Sequence, residues 1–140
     1  IEPDLAGRPR IARQRIARML GPDRMLLSGA VDLEFRQDRI AGARNAITAI
    51  DGSDGLEKLY THRCDVVMTD INMENMDGYE FIRRVRKDRQ YGDLPIIIVS
   101  TESEARDKGK GFRAGANLYI VKPCTPEVMV ENVRMILGVR

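Results

Sequence analysis

From residue 45 onward, short apolar runs alternate with stretches whose apolar residues recur every three or four positions. Ala46, Ile47, Thr48, Ala49 and Ile50 form a short β-prone run, closed by the turn pair Asp51-Gly52. Residues 54 to 62 put Leu56, Leu59 and Tyr60 on one side, a helical spacing. Val66, Val67 and Met68 are continuously apolar, as expected of a strand covered on both faces. Helical spacing returns over 79 to 87 with Phe81, Ile82 and Val85, and residues 95 to 99 make the most apolar strand of the chain.

A weaker helix is predicted over 104 to 114, because Gly109 and Gly111 each cost it about 1 kcal/mol relative to Ala. Leu118 to Val121 is the next strand. Thr125, Pro126 and Glu127 then supply an N-cap, a first-turn proline and a first-turn acid. Val128, Met129, Val133, Ile136 and Leu137 follow as the apolar face of the last helix. Strands alternating with helices of this length predict an α/β fold: a doubly wound, five-stranded parallel sheet with helices on both faces.

Ligands of such sheets sit just beyond the carboxyl ends of the strands. The residues that follow each apolar run are therefore the ones to read. Thr69 and Asp70 follow the run at 66, Ser100 and Thr101 the run at 96, and Lys122 and Pro123 the run at 119. Taken singly, each has an ordinary explanation: a turn-forming Asp, a helix-capping hydroxyl, a solvated Lys. Together they bring a carboxylate, a hydroxyl and an ammonium to one edge of the sheet. A carboxylate can accept a phosphoryl group. Stabilising its transfer is mostly positioning and charge neutralisation, which a hydroxyl, a lysine and an oxygen-bound Mg²⁺ supply.

Three stretches carry a family resemblance. Residues 65 to 78, with Asp70, Asn72, Met76, Asp77 and Gly78, resemble the phosphorylation-site motif of two-component response-regulator receivers. Residues 94 to 102 resemble their hydroxyl-bearing strand, and 115 to 123 their lysine strand. The likeness runs from about 45 to 138 and implies the flavodoxin-like receiver fold. It implies Asp70 as phosphoacceptor, with Ser100 and Lys122 binding phosphoryl oxygens. Asp70 and the Asn72 carbonyl would hold Mg²⁺. Tyr119 and Ser100 would form the switch pair, Lys122-Pro123 a cis peptide, and Gly78 a tight turn behind the site. Asn72 and Glu102 stand at the two positions that tune phosphoryl lifetime, and match the pair of chemotaxis-type regulators. Glu74, where the family usually has proline, is expected to loosen the loop after Asp70.

The front of the chain departs from the family, whose first strand ends in two adjacent acids that hold the metal. No such pair occurs before residue 45. Two placements compete. In one, Met25 to Val31 is the first strand and Asp32 the surviving acid. In the other, residues 1 to 4 are the tail of that strand, Glu2 and Asp4 its acids, and Pro9 to Leu20 the first helix. A missing central strand would leave backbone and core unpaired, which favours the first. Residues 1 to 23 are then an Arg-rich segment of uncertain role, and 24 to 140 the receiver.

Composition narrows the remaining classes. The 140 residues are 43% apolar and 31% charged, enough for one domain with a real core. A net charge of +2 gives little reason to expect nucleic acid, although residues 8 to 44 hold nine Arg and no Lys. His62, without a second ligand nearby, reads as a surface residue at a helix end. Cys64 and Cys124 lack metal-ligand spacing and suggest a reducing, cytoplasmic setting. No apolar run is long enough to span a membrane.

The expectation is a phosphoacceptor switch rather than an enzyme. It would be served by a histidine kinase or phosphotransfer protein, and would act through an output protein, since no output segment follows Leu137. A degenerate receiver that docks partners without phosphorylation is the alternative. A haloacid-dehalogenase-like phosphatase would want a second Asp where Asn72 stands.

Overall fold

The structure is a computed structural model and describes residues 24–29 and 45–138. The described residues form five strands: β1 (Arg24–Ser28), β2 (Asn45–Ala49), β3 (Val66–Thr69), β4 (Ile96–Ser100) and β5 (Leu118–Val121). Four helices are described with them: α1 (Gly52–Thr61), α2 (Gly78–Lys87), α3 (Ala105–Ala114) and α4 (Pro126–Leu137). All strand pairs are parallel, in the order β2-β1-β3-β4-β5. This is the doubly wound order, with the chain reversing direction across the sheet between β1 and β3.

Alternation along the strands divides the core in two. Met25, Leu27, Val66, Met68, Ile97 and Val99 face α4, which contributes Met129, Val133 and Leu137. Leu26, Val67, Ile96 and Ile98 face the other way, against Leu59 of α1, Phe81, Ile82 and Val85 of α2, and Ala114 of α3. Helices on both sides explain why β3 and β4 read as unbroken apolar runs. Among the described residues no helix is long and apolar enough to cross a membrane.

The first strand lies where the first of the two placements puts it, but it stops at Ser28 rather than Val31. Gly29, at φ 80°, turns the chain out of the sheet there. The competing placement, with its strand tail at residues 1 to 4 and its helix over Pro9 to Leu20, falls outside the described residues.

Three residues of the predicted apolar patterns are exposed. Ile50, 82% exposed, follows the last residue of β2, and its N–H donates to Asp54. Tyr60 is 62% exposed and lies against the ring of Tyr91, centroid to centroid 6.2 Å. Val128, 41% exposed, sits one residue off the line Met129, Val133, Leu137 that α4 turns to the sheet. Gly111 has a packing reason for weakening α3: a Cβ there would come 2.6 Å from Ile98 Cδ1 and 3.2 Å from the Tyr119 ring.

The amino ends of β4 and β5 are tied together by Arg86. Its guanidinium donates to the carbonyls of Gly115, Gly92 and Leu94 and to Asn117 Oδ1. Asn117 Oδ1 also accepts from the Ile96 N–H. Arg86→Met keeps the apolar stem and strips these charge-assisted bonds. It should lower unfolding stability by about 3 kcal/mol, read as a drop in the urea midpoint at unchanged slope.

Candidate functional site

The three strand ends converge. Asp70 leaves β3 with its N–H donating to the Ser28 carbonyl at 3.0 Å, which fixes it against β1. Its Oδ1 accepts the N–H of Ile71 at 2.7 Å. Its Oδ2 is 3.2 Å from Lys122 Nζ, and the two side chains are only 12% and 7% exposed. Lys122 reaches across because its own N–H donates to the Ser100 carbonyl at 2.8 Å, one step past the Ser100–Val121 register pair. The Lys122-Pro123 peptide is cis, as the resemblance implied. Ser100 is fully buried on β4, the strand between the other two.

Glu102 gathers the remaining residues. Its N–H donates to Ser100 Oγ at 3.1 Å, its carbonyl accepts the Tyr119 hydroxyl at 2.7 Å, and its Oε1 accepts from Asn72 Nδ2 at 3.4 Å. The two positions expected to tune phosphoryl lifetime therefore touch each other. Burial pushes the Tyr119 phenol above its usual range, with a hydrogen bond to Ser100 pulling the other way.

The loop after Asp70 is better anchored than Glu74 suggested. Asn75 adopts φ 66°, a left-handed conformation that Asn tolerates. Its Nδ2 donates to Asp51 Oδ2 at 2.8 Å. Asp51 caps α1 through the Asp54 N–H at 2.8 Å, and its carbonyl accepts the Ser28 hydroxyl at 3.2 Å. The Asp54 N–H first, and the Asn75 amide next, hold the Asp51 carboxyl below its ordinary range. Sequence reading took Asp51-Gly52 only as a turn. The missed signal was an Asp three residues ahead of another acid at the start of a helical pattern.

Gly78 is required less by a turn than by close approach. Its N–H donates to the Ile71 carbonyl at 2.8 Å, and a Cβ would lie 2.2 Å from the Asp70 carbonyl oxygen.

The metal side is thinner. Mg²⁺ takes oxygen ligands, typically one or two carboxylates with waters and phosphate oxygens. Of the expected ligands, Asp70 and Asn72 lie among the described residues. Asp32, Glu2 and Asp4, the expected acids, lie outside the described residues. The last described positions of β1 and its turn are Ser28 and Gly29, neither of them an acid. Among the described residues no cluster of three or more His, Cys, Asp and Glu stands where it could hold a metal ion. His62 closes α1 as its C-cap, and Cys64 and Cys124 are unbridged.

The sequence model of the response regulator receiver domain matches residues 34–134. The chemotaxis protein CheY1 of Helicobacter pylori is 36% identical over 98 residues, covering 69% of this chain and 79% of that protein. The CheY homologue of Campylobacter jejuni is 38% identical over 105 residues, covering 68% and 81% respectively. The solved structure of the chemotaxis response regulator CheY4 of Vibrio cholerae superposes with a TM-score of 0.74 at 30% identity, over 83% of this chain and 99% of that one.

Two substitutions test how the site is held. Gly78→Ala drives a methyl into the Asp70 backbone and should destabilise by about 1–3 kcal/mol, with shifted amide resonances at Asp70 and Ile71. Asp51→Ser keeps an N-cap but loses the carboxylate. A carboxyl held low when folded stabilises above its unfolded pKa, and that stability is lost as pH falls through the folded value. The Ser variant should therefore be less stable at pH 7, and the gap should close in denaturation curves taken well into the acid range.

Proposed function

The chain belongs to the response regulator receiver domain family, and on that premise we propose that Asp70 accepts a phosphoryl group from a histidine kinase or phosphotransfer protein. Receiver domains are phosphoacceptor switches of two-component signalling. The single observation that supports the finer reading is the withdrawn pair of Asp70 and Lys122, 3.2 Å apart, with Ser100 on the strand between them.

In the proposed step a carboxylate oxygen of Asp70 attacks phosphorus in line with the donor's histidine nitrogen. The O–P bond forms as the N–P bond breaks, and the leaving imidazole takes up a proton. The Ile71 N–H, already on Oδ1, orients the carboxylate. Lys122 passes from Oδ2 to a phosphoryl oxygen, keeping its positive charge beside the new negative charge. The Ser100 hydroxyl, which now accepts from the Glu102 N–H, donates to a second phosphoryl oxygen. Tyr119, bonded to the carbonyl of that same Glu102, responds to the Ser100 shift. A divalent cation held by Asp70 and the Asn72 carbonyl would neutralise further charge on the transferred group.

The receiver would span 24 to 140, with 1 to 23 as a separate Arg-rich segment. Its output would be a change in the face built from β4, β5, α3 and α4, offered to a protein partner in the cytoplasm. The Asn72–Glu102 pair and the chemotaxis relatives support a short-lived signal.

Incubation with acetyl phosphate and Mg²⁺ should add one phosphoryl mass, labile in both acid and base, to the wild-type protein. Asp70→Asn should take up none. Lys122→Ala should be labelled about a hundredfold more slowly, the usual loss when one charge-stabilising donor is removed. Label persisting on the Asn variant, by intact-protein mass spectrometry, rules the assignment out.

A further inference from the structure

We infer that Tyr79 is a positioning residue: its hydroxyl ties the start of α3 to α2, and so carries phosphoryl uptake at Asp70 to α3 by a second route. This rests on the phosphoacceptor reading and concerns how that same site acts on the output face.

Among the described helices, α3 is the least able to hold its own start. α1, α2 and α4 each begin under a side-chain cap, from Asp51, Asp77 and Thr125. α3 begins at Glu104, which makes no such bond, and whose carboxylate is drawn instead to Arg106 at 2.9 Å. A side-chain oxygen on the first-turn amides is the usual support for a helix start. Gly109 and Gly111 weaken the same helix further along. The start of α3 must therefore be held from outside.

Tyr79 supplies that hold. Its hydroxyl donates to the carbonyl of Asp107, in the first turn of α3, at 3.2 Å. Its ring is half-buried against the core that faces α1 to α3. Burial first, then the neighbouring Tyr119 and carboxylates, pushes the phenol up to about 12, so the hydroxyl keeps its proton and remains a donor.

At its other end Tyr79 is joined to the phosphoacceptor. It follows Gly78, whose N–H donates to the Ile71 carbonyl at 2.8 Å and whose absent Cβ would lie 2.2 Å from the Asp70 carbonyl oxygen. A backbone shift at 70 and 71 cannot occur without moving the first turn of α2. The Ser100 contacts reach α3 from the opposite side, where the Tyr119 hydroxyl holds the Glu102 carbonyl at 2.7 Å. Two phenols, one from α2 and one from β5, thus grip the start of α3 at 107 and just ahead of it at 102.

The test uses the whole chain with fluoroberyllate and Mg²⁺ as a phosphoryl mimic, and follows amide resonances at Ile71 and over 105 to 111. Tyr79→Phe removes one hydroxyl and keeps the ring. Without the mimic it should speed amide hydrogen exchange over 105 to 111 about fivefold, the loss of one hydrogen bond. With the mimic, Ile71 should shift as in wild type, while the shifts over 105 to 111 fall to about half. Tyr79→Phe with Tyr119→Phe should abolish nearly all of them, if the two routes add. Tyr91→Phe is the control, since its hydroxyl makes a like bond to the Leu59 carbonyl of α1 at 2.7 Å. It should leave the shifts over 105 to 111 unchanged.

Full wild-type shifts over 105 to 111 in Tyr79→Phe overturn the inference, and so does an equal loss in Tyr91→Phe. In both cases a normal Ile71 shift leaves the phosphoacceptor reading standing. A wild-type Ile71 that does not respond to the mimic counts against that reading and overturns the relay with it. The exchange rates then still decide whether Tyr79 holds α3.

Discussion

A carboxylate and an ammonium that are both nearly withdrawn from water must be held in register by something other than their own attraction. Desolvating such a pair costs several kcal/mol per ion, and the attraction repays this only when geometry and added hydrogen bonds are right. Here the backbone provides both. Asp70 is pinned to β1 through the Ser28 carbonyl, and Lys122 is pinned to β4 through the Ser100 carbonyl. The Ile71 N–H satisfies the carboxylate oxygen that Lys122 leaves open. The pair is thus a product of three adjacent strands ending at one level, and the rest of the architecture keeps those ends aligned.

That alignment is maintained from the far edge of the sheet. Arg86 and Asn117 tie the amino ends of β4 and β5 to the loops that feed them. Both cores, one against α4 and one against α1 to α3, clamp the strands between them. The site is then left to short-range devices. A missing Cβ at Gly78 lets α2 start against the Asp70 backbone, and the Asp51–Asn75 bond fixes the loop between them.

Much of this was legible in residue order. Unbroken apolar runs at 66 to 68 and 96 to 99 required strands covered on both faces, and the residues after each run named Asp70, Ser100 and Lys122. What stayed hidden depends on contacts distant in sequence. Nothing local to Asp51 announces a partner at Asn75, and Tyr60 belongs to a helical stripe on paper yet rests on Tyr91 at the surface. The end of β1 was misjudged by three residues because Ala30 and Val31 extend its apolar pattern, whereas Gly29 already turns the chain away.

Glu102 shows how little material is needed to join parts of such a site. Its amide, carbonyl and carboxylate each serve a different neighbour: Ser100, Tyr119 and Asn72. Two of those three links are made by the main chain and survive any change of side chain at 102 except to proline. Only the link to Asn72 is open to variation by sequence. Drift at this position can therefore reset the mouth of the pocket while leaving the wiring between hydroxyl and aromatic ring untouched.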